Sequence, residues 1–154
     1  MSNPPADLLA RIADGVEVIE RTVTELRDLQ GVSRAAYKRD ENRLQRDAVE
    51  RKFEKLTAAV IDVGETVLRI EQDTVPDRRK AVVTELEAVG VIDAELGEKL
   101  RAAVGFRDVL AHTYGPVVND DIVHVTLVGA AIQTDSGRRG RGLGHDNSLN
   151  VSEV

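Results

Sequence analysis

Within eight residues, Arg107-Asp108-Val109-Leu110-Ala111-His112-Thr113-Tyr114 brings together a guanidinium, a carboxylate, an imidazole and a phenol, just before Gly115-Pro116. The guanidinium stays charged at any physiological pH and presents a planar fork of donors that fits phosphate oxygens. The imidazole titrates near neutrality and can exchange a proton with an alcohol. Together they supply charge stabilisation and proton transfer, which is what handling a phosphate ester without a metal requires.

The spacing constrains how these groups are used. Asp108 and His112 are four residues apart and share one helical line with Arg101 and Gly105, so the carboxylate can orient the imidazole and favour its protonated form. Gly105 weakens a helix by about 1 kcal/mol relative to alanine, yet removes the side chain that would block close approach of a ligand or another helix. That line reads as an interface. Arg107 belongs to a different stripe, Leu96, Leu100, Ala103, Leu110 and Tyr114, which is apolar apart from the guanidinium. A lone arginine so placed snorkels to solvent or binds carbonyls at a helix end; the neighbouring polar line favours a functional role. Five residues separate Arg107 from His112, about 140° around a continuous helix, so one helix does not aim both at one phosphate. Unwinding near His112, eased by Pro116 restricting Gly115, satisfies the geometry. So does a two-fold homodimer that brings two Arg and two His side chains into one cleft.

Apolar spacings of three and four recur along the chain and no convincing period-two run is present, which predicts an all-α fold. The first helix starts at Pro5 and carries Leu8, Ile12, Val16, Ile19, Val23 and Leu26 as one stripe before Gly31. A short helical piece follows Ser33. The longest helix runs from about Glu41 to Glu71, with Val49, Phe53, Leu56, Val60, Val63, Val67 and Ile70 on one side, a spacing suited to antiparallel bundle packing. Arg51, Lys55, Asp62, Glu65 and Arg69 form its mixed, solvated face. Pro76-Asp77 starts the next helix, Gly90 stops it, Asp93 caps the motif helix, and a last helix follows Asn119 with Asp120 and Asp121 in its first turn.

A length of 154 residues suits one domain. The absence of cysteine removes disulfides, thiolate metal sites and cysteine nucleophiles, and with no signal peptide or membrane span in the chain the expectation is a cytoplasmic protein. Two Phe, two Tyr and no Trp argue against a base-stacking platform, and a net charge of −6 argues against broad nucleic-acid affinity, so any RNA contact is local. His112, His124 and His145 lack metal-ligand spacing, and no glycine-rich nucleotide loop follows a strand, so no metal and no cofactor are expected. Residues 135–154 include Gly137-Arg138-Arg139-Gly140-Arg141-Gly142 and little apolar periodicity, which predicts a disordered tail after a helical domain spanning 1–134.

The Arg-polar-x3-His-x-Tyr string resembles the HEPN superfamily and, with its final tyrosine, the HepT-like branch. The resemblance extends to Arg46-Asp47-Ala48-Val49-Glu50-Arg51 leading into Ala58-Ala59-Val60-Ile61-Asp62. It extends also to Leu86-Glu87-Ala88-Val89-Gly90-Val91-Ile92 ahead of the motif, so that residues 6–134 are covered. Asp108 stands where Asn is more frequent, and after Gln133 the chain lacks the longer apolar ending of relatives. The resemblance implies an antiparallel helical bundle, a homodimer, and a metal-independent endoribonuclease that is the toxin of a type VII toxin–antitoxin pair. It implies Arg107 and His112 as the catalytic pair, Asp108 as the polar member, and Tyr114 as the hydroxyl adenylylated by a partner, an MntA-like minimal nucleotidyltransferase antitoxin. Tyr114 as an ordinary core aromatic, and the whole chain as a non-catalytic module of the same fold that binds a nucleotide or the transferase, stay open. An adjacent nucleotidyltransferase reading frame discriminates.

Overall fold

The computed structural model describes residues 3–112, 120–129, 131–134 and 149–152. Six helices make the body: α1 Ala6–Asp28, α2 Arg34–Tyr37, α3 Arg43–Glu71, α4 Arg79–Ala88, α5 Ala94–His112 and α6 Asp120–Gly129, with a 3₁₀ turn at Asp40–Asn42 leading into α3. The helical expectation holds, and the punctuation acts as its chemistry dictates. The Ser33 hydroxyl accepts from the Ala36 N–H at 3.1 Å to start α2, and the Asp93 carboxylate accepts from the Leu96 N–H at 2.8 Å to start α5. Gly90, at φ +81°, ends α4 while the Val91 N–H reaches back to the Leu86 carbonyl at 2.9 Å.

Two antiparallel hairpins of helices are joined through α3. Arg11 meets Asp62 and Lys52 meets Glu25, which sets α1 against α3 in opposite directions. The α4–α5 pair runs antiparallel as well, from Glu87 beside Arg101 to Arg79 beside Asp108. The main core joins Ile19, Val23 and Leu26 of α1 to Val49, Phe53 and Leu56 of α3, with Tyr37, Leu110, Val123 and Leu127. A second cluster unites Ile61, Val83 and Val104, and a third Leu68, Val82 and Leu86.

Two stripes differ from their expected form. The α1 stripe is buried only from Ile19 onward, and Val16 is exposed because the core ends before the first turns of that helix. The α3 stripe does not stay on one face. Val60 and Val63 pack toward the main core, whereas Ile61, Gly64 and Leu68 are buried on the side of α4 and α5. At Gly64 a Cβ would stand 2.7 Å from Leu86 Cδ1, so the glycine lets α4 approach.

Among the described residues no helix is long and apolar enough to cross a membrane. A short strand pair lies after α6. Ala131–Thr134 (β1) pairs antiparallel with Leu149–Ser152 (β2), Ile132 facing Val151 in register. Four-residue runs are too short to register as a period-two pattern.

Candidate active site

Helix α5 carries the motif without interruption from its Asp93 cap to His112. Its inward line passes through Gly97, Leu100, Val104, Arg107 and Leu110, so Val104 rather than Ala103 fills the middle position. Arg107 does occupy a place where an aliphatic residue would pack. Phe106, one residue earlier, meets Phe53 of α3 edge-to-face, with ring centroids 5.5 Å apart and planes at 86°, which fixes this turn on the core.

The Arg107 side chain is only 21% exposed. Its Nη1 donates to Asp108 Oδ1 at 3.4 Å, while its Nε is buried with no acceptor among the described residues. An unsatisfied buried donor costs about 1–3 kcal/mol, so packing alone does not explain arginine here. The same Asp108 oxygen lies 3.7 Å from Arg79 Nη1 at the start of α4. Asp108 thus stands between two guanidinium groups, one from its own helix and one from the neighbouring helix.

The polar line Arg101–Gly105–Asp108 is an interface, but within the chain. Arg101 Nη1 donates to Glu87 Oε2 at 2.9 Å, Lys80 reaches over Gly105, and Arg79 reaches Asp108. Helix α4 packs along the described part of the line. Val109 of α5 is 57% exposed, and Ile122 and Val125 of α6 are 52% and 63% exposed.

His112 is the last residue of α5, and its side chain lies outside the described residues, as do Thr113, Tyr114, Gly115-Pro116 and His145. Because α5 is regular through His112, no unwinding intervenes between Arg107 and His112. Backbone position 112 is therefore about 140° around the helix axis from position 107.

His124 has an architectural task. Its Nε2 donates to the Val32 carbonyl at 2.8 Å, and its ring lies 5.4 Å from that of Tyr37. Tyr37 is fully buried, and burial pushes its phenol well above the ordinary tyrosine range, so it stays neutral. Arg46, 11% exposed, ties this corner together by donating to the carbonyls of Tyr37 at 2.8 Å and Arg39 at 2.7 Å and by approaching Asp120 at 3.5 Å. Sequence reasoning did not assign Arg79 and Lys80 to the surroundings of the motif. The consecutive Arg78-Arg79-Lys80 was the only signal, and nothing local ties it to a segment so far along the chain.

Residues 19–130, from within α1 to just past α6, match the family model described as ribonuclease HepT-like. No curated protein matches the chain.

Proposed function

The chain belongs to the HepT-like ribonuclease family, and we propose that it is the metal-independent, RNA-cleaving toxin of a toxin–antitoxin pair, active as a homodimer. The observation that carries this reading is Arg107, a half-buried guanidinium on an apolar line with one buried N–H lacking an acceptor among the described residues. A donor held in that condition is suited to a charge that appears only in the transition state, and a small rotation of the side chain would deliver it to a phosphate oxygen. Asp108 holds the guanidinium from one side.

In the proposed reaction the RNA's own 2′-hydroxyl attacks the adjacent phosphorus. The His112 imidazole takes the hydroxyl proton, the bond from phosphorus to the 5′-oxygen breaks, and that oxygen is protonated by water. The products are a 2′,3′-cyclic phosphate and a 5′-hydroxyl. The regular course of α5 supports a composite site, with Arg107 from one protomer facing His112 from the other, because a single helix keeps the two positions far apart around its axis. Val109 of α5 and Ile122 and Val125 of α6 are exposed apolar side chains that a second copy would cover.

Tyr114 is the proposed point of control. Transfer of AMP to its hydroxyl by an MntA-type nucleotidyltransferase would place bulk and negative charge two residues after His112. Purified protein is expected to cleave RNA in EDTA and leave the cyclic phosphate, with Arg107→Ala and His112→Ala both inactive but folded. Cleavage that requires added metal, or survives in both variants, would refute the mechanism. After coexpression with the transferase, intact-mass measurement should find AMP added to the wild type and none on Tyr114→Phe; an unmodified chain would rule out this mode of silencing.

A further inference from the structure

The antiparallel register of α4 on α5 brings the only three consecutive cations of the chain, Arg78-Arg79-Lys80, to the motif end of α5. All three are exposed. Arg79 is engaged with Asp108, whereas Lys80 forms no salt bridge among the described residues. Lys80 Nζ lies 3.6 Å from the place a Cβ on residue 105 would occupy, which is ordinary contact distance. The packing of α4 therefore does not demand glycine at 105. At Gly97, on the same helix, a Cβ would collide with the Glu87 carboxylate. Lys80 is thus held over Gly105, on the line that continues through Asp108 to position 112.

We infer that Arg78 and Lys80 form a subsite for a phosphate of the RNA strand next to the one that is cut, at the start of α4 where it packs on the motif end of α5. The inference rests on the reading of the chain as an RNA-cleaving enzyme and deepens it by assigning where the flanking backbone is held. In a chain of net charge −6, diffuse attraction cannot hold RNA, so a local cation cluster at the site is required. The subsite needs no base preference, because its contacts go to phosphate. Arg79, occupied by Asp108, acts as a positioning residue that keeps the start of α4 against the motif.

The test uses the full-length protein and a fluorescent single-stranded oligonucleotide with 2′-O-methyl groups, which can bind but cannot be cut through its own hydroxyl. Arg78→Ala/Lys80→Ala should weaken binding several-fold, and the slope of log affinity against log salt should fall by about 0.7 for each cation removed. On cleavable RNA the same loss should appear in KM rather than kcat. Lys55→Ala, which removes one cation from the groove between α1 and α3 lined by Arg21, Glu25, Arg51 and Lys52, should leave binding and slope unaltered. Unchanged affinity and slope in the double variant, an equal loss in Lys55→Ala, or no binding by the wild type would each overturn the subsite. Binding that depends on Arg78 and Lys80 without any cleavage by the wild type would support the subsite and refute the nuclease reading, so the two ideas fail separately.

Discussion

Arg107 is the residue at which stability and activity pull in opposite directions. Its neighbours along α5 are Val104 and Leu110, both buried, and its own Nε has no acceptor among the described residues. Replacing an incompletely satisfied buried cation by an apolar side chain of similar reach is often neutral or stabilising. Arg107→Leu is accordingly expected to match or exceed the wild type in urea denaturation, by up to about 1–3 kcal/mol if the orphan donor is the main cost, and to lose cleavage entirely. Arg107→Lys should also be inactive, since a single ammonium does not reproduce the two-pronged contact with phosphate. A Leu variant destabilised by several kcal/mol would show that the guanidinium is a structural member of the core. The motif was legible at this scale because residue types and spacing are local. Its partners were not: the contact of Arg79 with Asp108 joins residues of different helices, and no pattern within either helix encodes it.

The same division runs through the elements. Ser33, Gly90 and Asp93 mark helix ends through hydrogen bonds and backbone conformations reached within a few residues, and those boundaries were readable in advance. The buried face of α3 was not, because it changes where the neighbours change, from α1 beside Val63 to α4 beside Gly64 and Leu68. Helix α6 shows how an element is attached by charge as well as by its apolar side. Asp121 accepts from Arg34 Nε at 2.7 Å and Nη2 at 3.0 Å and from Lys38 Nζ at 3.4 Å. The Arg34 hydrogen bonds, foremost, hold its carboxyl down to about 2 from an ordinary 3.8. A carboxyl lowered by folding contributes stability that is fully present above its ordinary value and is lost as acid carries the pH down through the folded value. The contribution of Asp121 is therefore complete at neutral pH and declines between pH 3.8 and about 2. Denaturant titrations across that window should show a steeper loss for the wild type than for Asp121→Asn, which has no such charge to lose. Superimposable profiles would show that this contact does not contribute to holding α6.

For the molecule as a whole, the decisive question is whether one chain holds a complete site. The continuity of α5 keeps positions 107 and 112 on different sides of one helix, and helix α4 packs along the described part of the polar line within the chain. Among the described residues near this end, Val109 of α5 and Ile122 and Val125 of α6 are exposed apolar side chains that a second copy would cover. An aspartate at position 109 should consequently yield monomers in light scattering and abolish cleavage, although Arg107 and His112 are both retained. Mixing gives a sharper outcome. If each site takes Arg107 from one protomer and His112 from the other, a dimer of one Arg107→Ala chain and one His112→Ala chain has one site lacking both groups and one site intact. Random reassembly of equal amounts of the two inactive variants should then restore roughly a quarter of wild-type cleavage, since about half the dimers are mixed and each has one working site of two. Sites confined within single chains would give no recovery at any mixing ratio, and the dimeric mechanism would have to be abandoned even if the protein itself were a dimer.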